Sequence, residues 1–199
     1  MKKQIVFVGG IHGAGKSTNC HALSVQHGWR VVKQRRQLIS VGAEHGILWP
    51  EVASRHDELI PHVADRLLDM LRQSAEAVLL VDCHYAIPTS AALRTRHCTG
   101  CYMPNLDWNL VERVKQEHWC RFVLLKVDPA IALARIMARP EATHYVNTLR
   151  HFVEEAVAEN EVFQRLLAHF SVQFSDCIIL EAINSRQTVS MLDRFICST

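Results

Sequence analysis

Nine consecutive residues, Gly10-Ile11-His12-Gly13-Ala14-Gly15-Lys16-Ser17-Thr18, place four positions between a glycine and a Gly-Lys-Ser triplet. Loops that hold polyphosphates use this spacing. Glycines let the main chain turn sharply and bring its N–H groups against phosphate oxygens, and a helix starting at the end of the loop adds partial positive charge. In such a loop Lys16 reaches the β- and γ-phosphates, and the Ser17 hydroxyl ligates Mg²⁺. The expected ligands are therefore ATP and Mg²⁺, with Gly10, His12, Gly13, Ala14, Gly15, Lys16, Ser17 and Thr18 around the triphosphate.

A carboxylate follows the apolar run Val78-Leu79-Leu80-Val81 directly, at Asp82. At the end of a buried strand beside a phosphate loop, that position supplies the second Mg²⁺ partner. Ser17 and Asp82 thus form the candidate metal pair; capping of a turn is the plainer alternative for Asp82. His84, two residues on, is placed to hydrogen-bond an acceptor. Phosphoryl transfer also needs charge neutralisation around the migrating group, which arginine supplies through its planar fork. Arg139 and Arg150 flank a short polar break, and its closure would bring both onto the phosphates. With Lys16 and Asp82 they complete the candidate catalytic set, against the alternative that they are solvated helix arginines. Arg35, Arg36 and Arg55 are candidates to hold an acceptor phosphate, and the sequence does not choose among them.

Seven cysteines in a chain of 199 residues read as reduced thiols, because disulfide frameworks belong to small secreted domains. His97-Cys98-Thr99-Gly100-Cys101, with His118 and Cys120 further on, contains one C-x-x-C pair, a weak signal for zinc.

These residues need a scaffold that brings residues 10–18 and Asp82 together. Gln4-Ile5-Val6-Phe7-Val8, Arg30-Val31-Val32-Lys33, Ala77 to Val81, Phe122 to Val127 and Cys177 to Leu180 are apolar runs of strand length, separated by helical stretches. Near-continuous apolar strands are buried on both faces, as in a parallel sheet covered by helices. The fold class predicted is α/β, a doubly wound sheet of five strands. A helix opens over Asn19 to His27. Another starts at Pro50-Glu51 and runs through Val52, Leu59, Val63, Leu67, Leu68 and Leu71. A long amphipathic helix is predicted from His144 onward, and Ser185 is expected to cap the last one. Gln34 to Asp69 exceeds what one crossover helix requires, and Arg139 to Thr143 is a polar break. Both fall near the ligand edge of the sheet.

Composition narrows the class further. Apolar residues make up 49% of the chain, enough for a sizeable core, and the net charge of +2 gives no strong pull toward nucleic acid. The apolar run after Met1-Lys2-Lys3 is too short for a signal peptide, and no run approaches a membrane span. A soluble, cytoplasmic protein with no membrane partner is expected.

Taken in order, five stretches resemble the adenylate kinases of the archaeal type, a branch of the nucleoside monophosphate kinases. They are Val8 to Thr18, Val81-Asp82-Cys83-His84, Gly100 to Leu106, the helix with Arg135 and Arg139, and Ala182-Ile183-Asn184-Ser185 after the fifth strand. The resemblance implies one P-loop kinase domain over residues 1–199, with five parallel strands in the order 2-3-1-4-5. It also implies an acceptor-binding helical insert at 34–69 and a short lid at 138–148. The implied activity is transfer of a phosphoryl group from MgATP to a nucleoside monophosphate, usually AMP.

The lid is short and poor in arginine, and Ser54-Arg55-His56-Asp57 is the insert's nearest approach to an arginine pattern. Two other readings therefore stay open. One is a P-loop kinase of another small acceptor, such as a nucleoside, a sugar acid or a polynucleotide end. The other is a P-loop ATPase acting as a switch or assembly factor. A GTPase is disfavoured because no Asn-Lys-x-Asp motif is present.

Overall fold

A computed structural model describes residues 2–48, 51–89, 102–139, 148–182 and 184–198. Its centre is β1 (Gln4–Gly9), whose side chains alternate between two cores because successive strand residues point to opposite faces. Ile5 and Phe7 enter one core, Val6 and Val8 the other, and all four are fully buried. Burial on both faces accounts for the uninterrupted apolar run.

Around β1 lie β2 (Arg30–Lys33), β3 (Val78–Asp82), β6 (Trp119–Lys126) and β7 (Cys177–Glu181), in the order β2-β3-β1-β6-β7 with every pairing parallel. Counted within this sheet alone, the order is 2-3-1-4-5. The numbering jumps because a small antiparallel pair, β4 (Ala86–Pro88) with β5 (Tyr102–Pro104), lies between β3 and β6 in the chain. Strands of three residues ending in proline leave little trace in a hydrophobic pattern, and this pair was not foreseen.

Helices cover both faces. On one side α2 (Gln34–Glu44), α4 (His56–Gln73) and α5 (Trp108–Glu117) pack with the C-terminal part of α7 (Leu149–His169). On the other lie α1 (Lys16–His27), α6 (Pro129–Met137) and α8 (Ser185–Cys197), joined by Phe152 of α7. Leu59, Leu67, Leu68 and Leu71 give α4 its buried face. Each contributes about 1.5–3 kcal/mol by leaving water.

Helix boundaries differ from the sequence reading in two places, and the expected start at His144 lies outside the described residues. The helix starting near residue 50 is divided: α3 (Glu51–Ser54) ends before Arg55, and α4 follows. Hydrophobic periodicity runs across such a break without registering it. The last helix is capped by Asn184, whose side chain accepts from the Gln187 N–H, while Ser185 is already helical and donates to Asn19 Oδ1. Within the described residues the long helix begins at Leu149, capped by the Thr148 hydroxyl.

Register brings the chemistry together. Val8 stands opposite Asp82, so the start of the phosphate loop and the end of β3 emerge side by side at the carboxyl edge. Lys33 also pairs with Asp82 and delivers the start of α2 to the same edge.

Candidate functional site

Residues 10–15 leave β1 and turn into α1, which starts at Lys16. Gly13 has a φ of +80°, and a Cβ there would lie 2.6 Å from the Ala132 carbonyl oxygen of α6. Backbone conformation and close approach both demand glycine at this position. Lys16 is buried and folded onto its own loop, Nζ donating to the Gly10 carbonyl at 2.5 Å and the Ile11 carbonyl at 3.0 Å. The Ser17 hydroxyl donates to Asp82 Oδ2 at 2.5 Å. A hydroxyl and a carboxylate in contact at the mouth of a phosphate loop form an all-oxygen donor pair, which fits Mg²⁺.

Arg135 of α6 reaches the loop from the other side, donating to the Gly13 carbonyl at 3.1 Å and the Ala182 carbonyl at 3.3 Å. The α6 start that aims it is set by Asp128, whose side chain caps the Ala130 and Ile131 N–H groups, and by Pro129 in the first turn. A cleft of about 580 Å³ borders Gly10 and Ile11, with Lys126, Asp128, Val157 and Glu181 among its other walls. Arg139 is exposed just beyond α6. Arg150 is 73% exposed and pairs with Glu154 one turn along α7. Segment 140–147, which carries the break between these arginines, lies outside the described residues, as do Cys98 and Cys101.

A second group of polar side chains stands against the loop. Glu155 Oε1 accepts from the His12 N–H at 3.1 Å and lies 2.6 Å from His12 Nδ1. Glu159, one turn on, has Oε1 2.9 Å from His84 Nδ1 and accepts the Tyr85 N–H on Oε2. The His12 and His84 rings face each other with centroids 4.4 Å apart. Burial pushes the Glu159 carboxyl up to about 8, against the opposing pull of Lys16 and the Tyr85 N–H. For Glu155 burial also pushes upward, but the His12 contacts and Lys16 outweigh it and hold the group below its ordinary value. Burial, then Lys16, His12 and Arg35, keep His84 well below the usual imidazole range.

Beyond His84, Gln34 at the start of α2 donates to the Asn105 carbonyl at 2.8 Å, and Asn105 Nδ2 donates to the His84 carbonyl. Asn105 Oδ1 lies 2.8 Å from His56 Nε2 at the start of α4. Hydrogen bonds link these three polar residues into a wall, as buried polar groups need partners, although His56 Nδ1 has no hydrogen-bond partner among the described residues. Arg55 is exposed and pairs with Glu58, and Arg35 and Arg36 are exposed on α2.

The structure thus brings Ser17 and Asp82 into contact, with Lys16 folded onto the adjoining loop and Arg135 on the Gly13 carbonyl. His84 lies against Glu159. Glu155, Glu159 and the role of Arg135 were not anticipated. A signal for the two acids exists: Glu155 and Glu159 occupy the same helical stripe as Phe152, Val162, Phe163 and Leu166, and a carboxylate on a buried stripe requires a partner.

The sequence matches no protein-family profile and no curated protein. Solved structures of similar shape include a deoxyadenosine kinase from M. mycoides with dCMP and a flexible dCDP bound, at 12% identity and a TM-score of 0.60. The same kinase with bound dATP matches at 13% identity, and with dCTP at 12%, each with a TM-score of 0.56. Each match covers 98% of this chain and 100% of the other. At that identity the likeness defines the fold: an α/β P-loop kinase fold with a five-stranded parallel sheet.

Proposed function

We propose that this protein is a phosphotransferase that uses MgATP and acts on a nucleoside or nucleoside monophosphate. The observation that carries the reading is the Ser17–Asp82 contact of 2.5 Å at the mouth of a loop that also holds Lys16. Lys16 would leave the Gly10 and Ile11 carbonyls for the β- and γ-phosphates, and the first-turn amides of α1 would receive phosphate oxygens. Ser17 and Asp82 would hold Mg²⁺, which when bound neutralises phosphate charge. Arg135 would brace the loop, and closure of a short lid at 138–148 would bring Arg139, and Arg150 just beyond it, onto the phosphates. Segment 34–69 would hold the acceptor.

The structurally similar deoxyadenosine kinase favours a nucleoside acceptor. AMP is the acceptor that the archaeal adenylate kinase resemblance implies, and the exposed Arg35 and Arg36 in the first turn of α2 would be available to an acceptor phosphate. Transfer from MgATP to a panel of nucleosides and nucleoside monophosphates, with Lys16→Ala as the blank, decides. Fast Lys16-dependent ADP formation with a nucleoside selects the first acceptor, and the same result with AMP selects the second. Hydrolysis that no acceptor accelerates would overturn the kinase reading in favour of a switch ATPase.

A further inference from the structure

Beside the phosphate loop, two imidazoles and a carboxylate converge in a way that the transfer chemistry of Lys16, Ser17 and Asp82 does not require. We propose that His12, His84 and Glu155 form a binding site for a borderline divalent transition cation of the Zn²⁺ class, separate from the Mg²⁺ pair. One ligand atom from each residue lies within 4.8 Å of the others. Glu155 Oε1 is 2.6 Å from His12 Nδ1 and 3.6 Å from His84 Nδ1. Donor atoms around a tetrahedral zinc ion stand about 3.3 Å apart, as follows from its bond lengths of about 2.0–2.1 Å. The observed separations bracket that value, so small side-chain rotations complete the site.

The second observation is independent of this convergence. Glu155 Oε2 is buried and has no hydrogen-bond partner among the described residues, although its side chain is only 4% exposed. An unpartnered carboxylate oxygen in a protein interior is unfavourable, and a cation held by this group would satisfy it. Glu159, whose Oε1 lies 2.9 Å from the same His84 Nδ1, is close enough to provide a fourth ligand. Access is open, because the His12 and His84 side chains are 36% and 22% exposed.

Donor chemistry separates the two cation sites. Ser17 and Asp82 offer oxygen alone, which suits Mg²⁺, whereas two imidazoles and a carboxylate select zinc, cobalt or nickel. The ligands come from three different elements: the loop, the turn after β3, and α7. A bound ion would therefore fasten the loop to α7 through His12 and influence nucleotide binding.

Titration of the full-length protein with Co²⁺, followed by its visible ligand-field bands, tests the site. One equivalent is expected to bind at micromolar concentration with nitrogen and oxygen ligation, resist millimolar Mg²⁺ and be displaced by Zn²⁺. His12→Ala and Glu155→Gln are each expected to weaken Co²⁺ binding by about 100-fold or more. His12 lies in a loop, so its variant remains informative if Glu155→Gln fails to fold. The proposal is overturned by an absence of micromolar binding, or by binding that His12→Ala leaves unchanged. Thiolate charge-transfer bands that vanish in Cys98→Ser/Cys101→Ser would overturn it equally.

Discussion

On one side of Lys16, the phosphate loop takes its shape from nine contiguous residues and the start of one helix. On the other, His12, His84, Glu155 and Glu159 form contacts that span 75 and 143 positions of sequence. The first wall depends on backbone geometry: a left-handed glycine, a helix N-terminus and a hydroxyl beside a carboxylate. The second depends on packing, since α7 must lie against β4 and the loop before its two acids can meet their histidines. The contrast separates two kinds of sensitivity. Damage to the loop should strike chemistry, whereas damage to the α7 wall should strike stability and its pH dependence.

The largest effect is expected from Lys16→Ala. Removing one preorganised charge at a reacting phosphate should lower kcat by about 10²–10³-fold, with the fold intact by circular dichroism. A comparable loss of stability would break the distinction between the two walls.

Gly9→Ala tests where the walls join. The Tyr85 ring lies over Gly9 so closely that a Cβ would overlap it, and the single Tyr85 hydroxyl proton is shared between the Phe7 and Val123 carbonyls, 2.9 and 3.1 Å away. Overpacking should cost about 1–3 kcal/mol in urea unfolding. Because Glu159 grips the Tyr85 N–H, the pH response of the α7 wall should shift as well.

A smaller effect, with a definite sign, belongs to Glu159. Its carboxyl is raised from 4.5 to about 8 in the folded protein, so the folded state holds a proton that the unfolded chain has released. Its contribution is fully present below about pH 4.5 and is lost as pH rises toward 8. His84 works oppositely: its folded value lies below 6.5, so its contribution grows with pH up to that point. Glu155, held below 4.5, loses its contribution only in acid. Between pH 6.5 and 8 the Glu159 slope should therefore dominate this wall, at up to about 1 kcal/mol per pH unit. Chemical denaturation across that window should show stability falling with pH, and Glu159→Gln should flatten the curve. An unchanged slope would mean that the wall does not hold the proton.

Arg150→Ala should do least to stability. An exposed i,i+4 pair with Glu154 is worth about 0.5 kcal/mol or less, measurable as a small shift in Tm. A tenfold fall in kcat in the same variant would place Arg150 with the loop's chemistry.

Much of this was legible beforehand. The strands that carry the loop and Asp82 announced themselves because a sheet buried on both faces demands uninterrupted apolar runs, as in Val78 to Val81. Lys16, Ser17 and Gly13 were readable because their spacing alone fixes the geometry. Less legible were β4 and β5, three residues each, and the interruption at Arg55, which leaves the apolar period of α4 undisturbed. Arg135 was visible as a helix residue, but its reach to the Gly13 and Ala182 carbonyls depends on how α6 crosses the loop.

The sequence by itself determined the local matters: a β–loop–α phosphate site, the carboxylate ending β3, the parallel sheet and its helical cover. Each follows from interactions between residues close in the chain or from the period of apolar side chains. Only the tertiary structure decided that Glu155 and Glu159 are buried against His12 and His84, and that Gln34, Asn105 and His56 seal one wall. Those pairings arise because low-dielectric packing forces buried polar groups to find partners, and no local rule of sequence names a partner so many residues away.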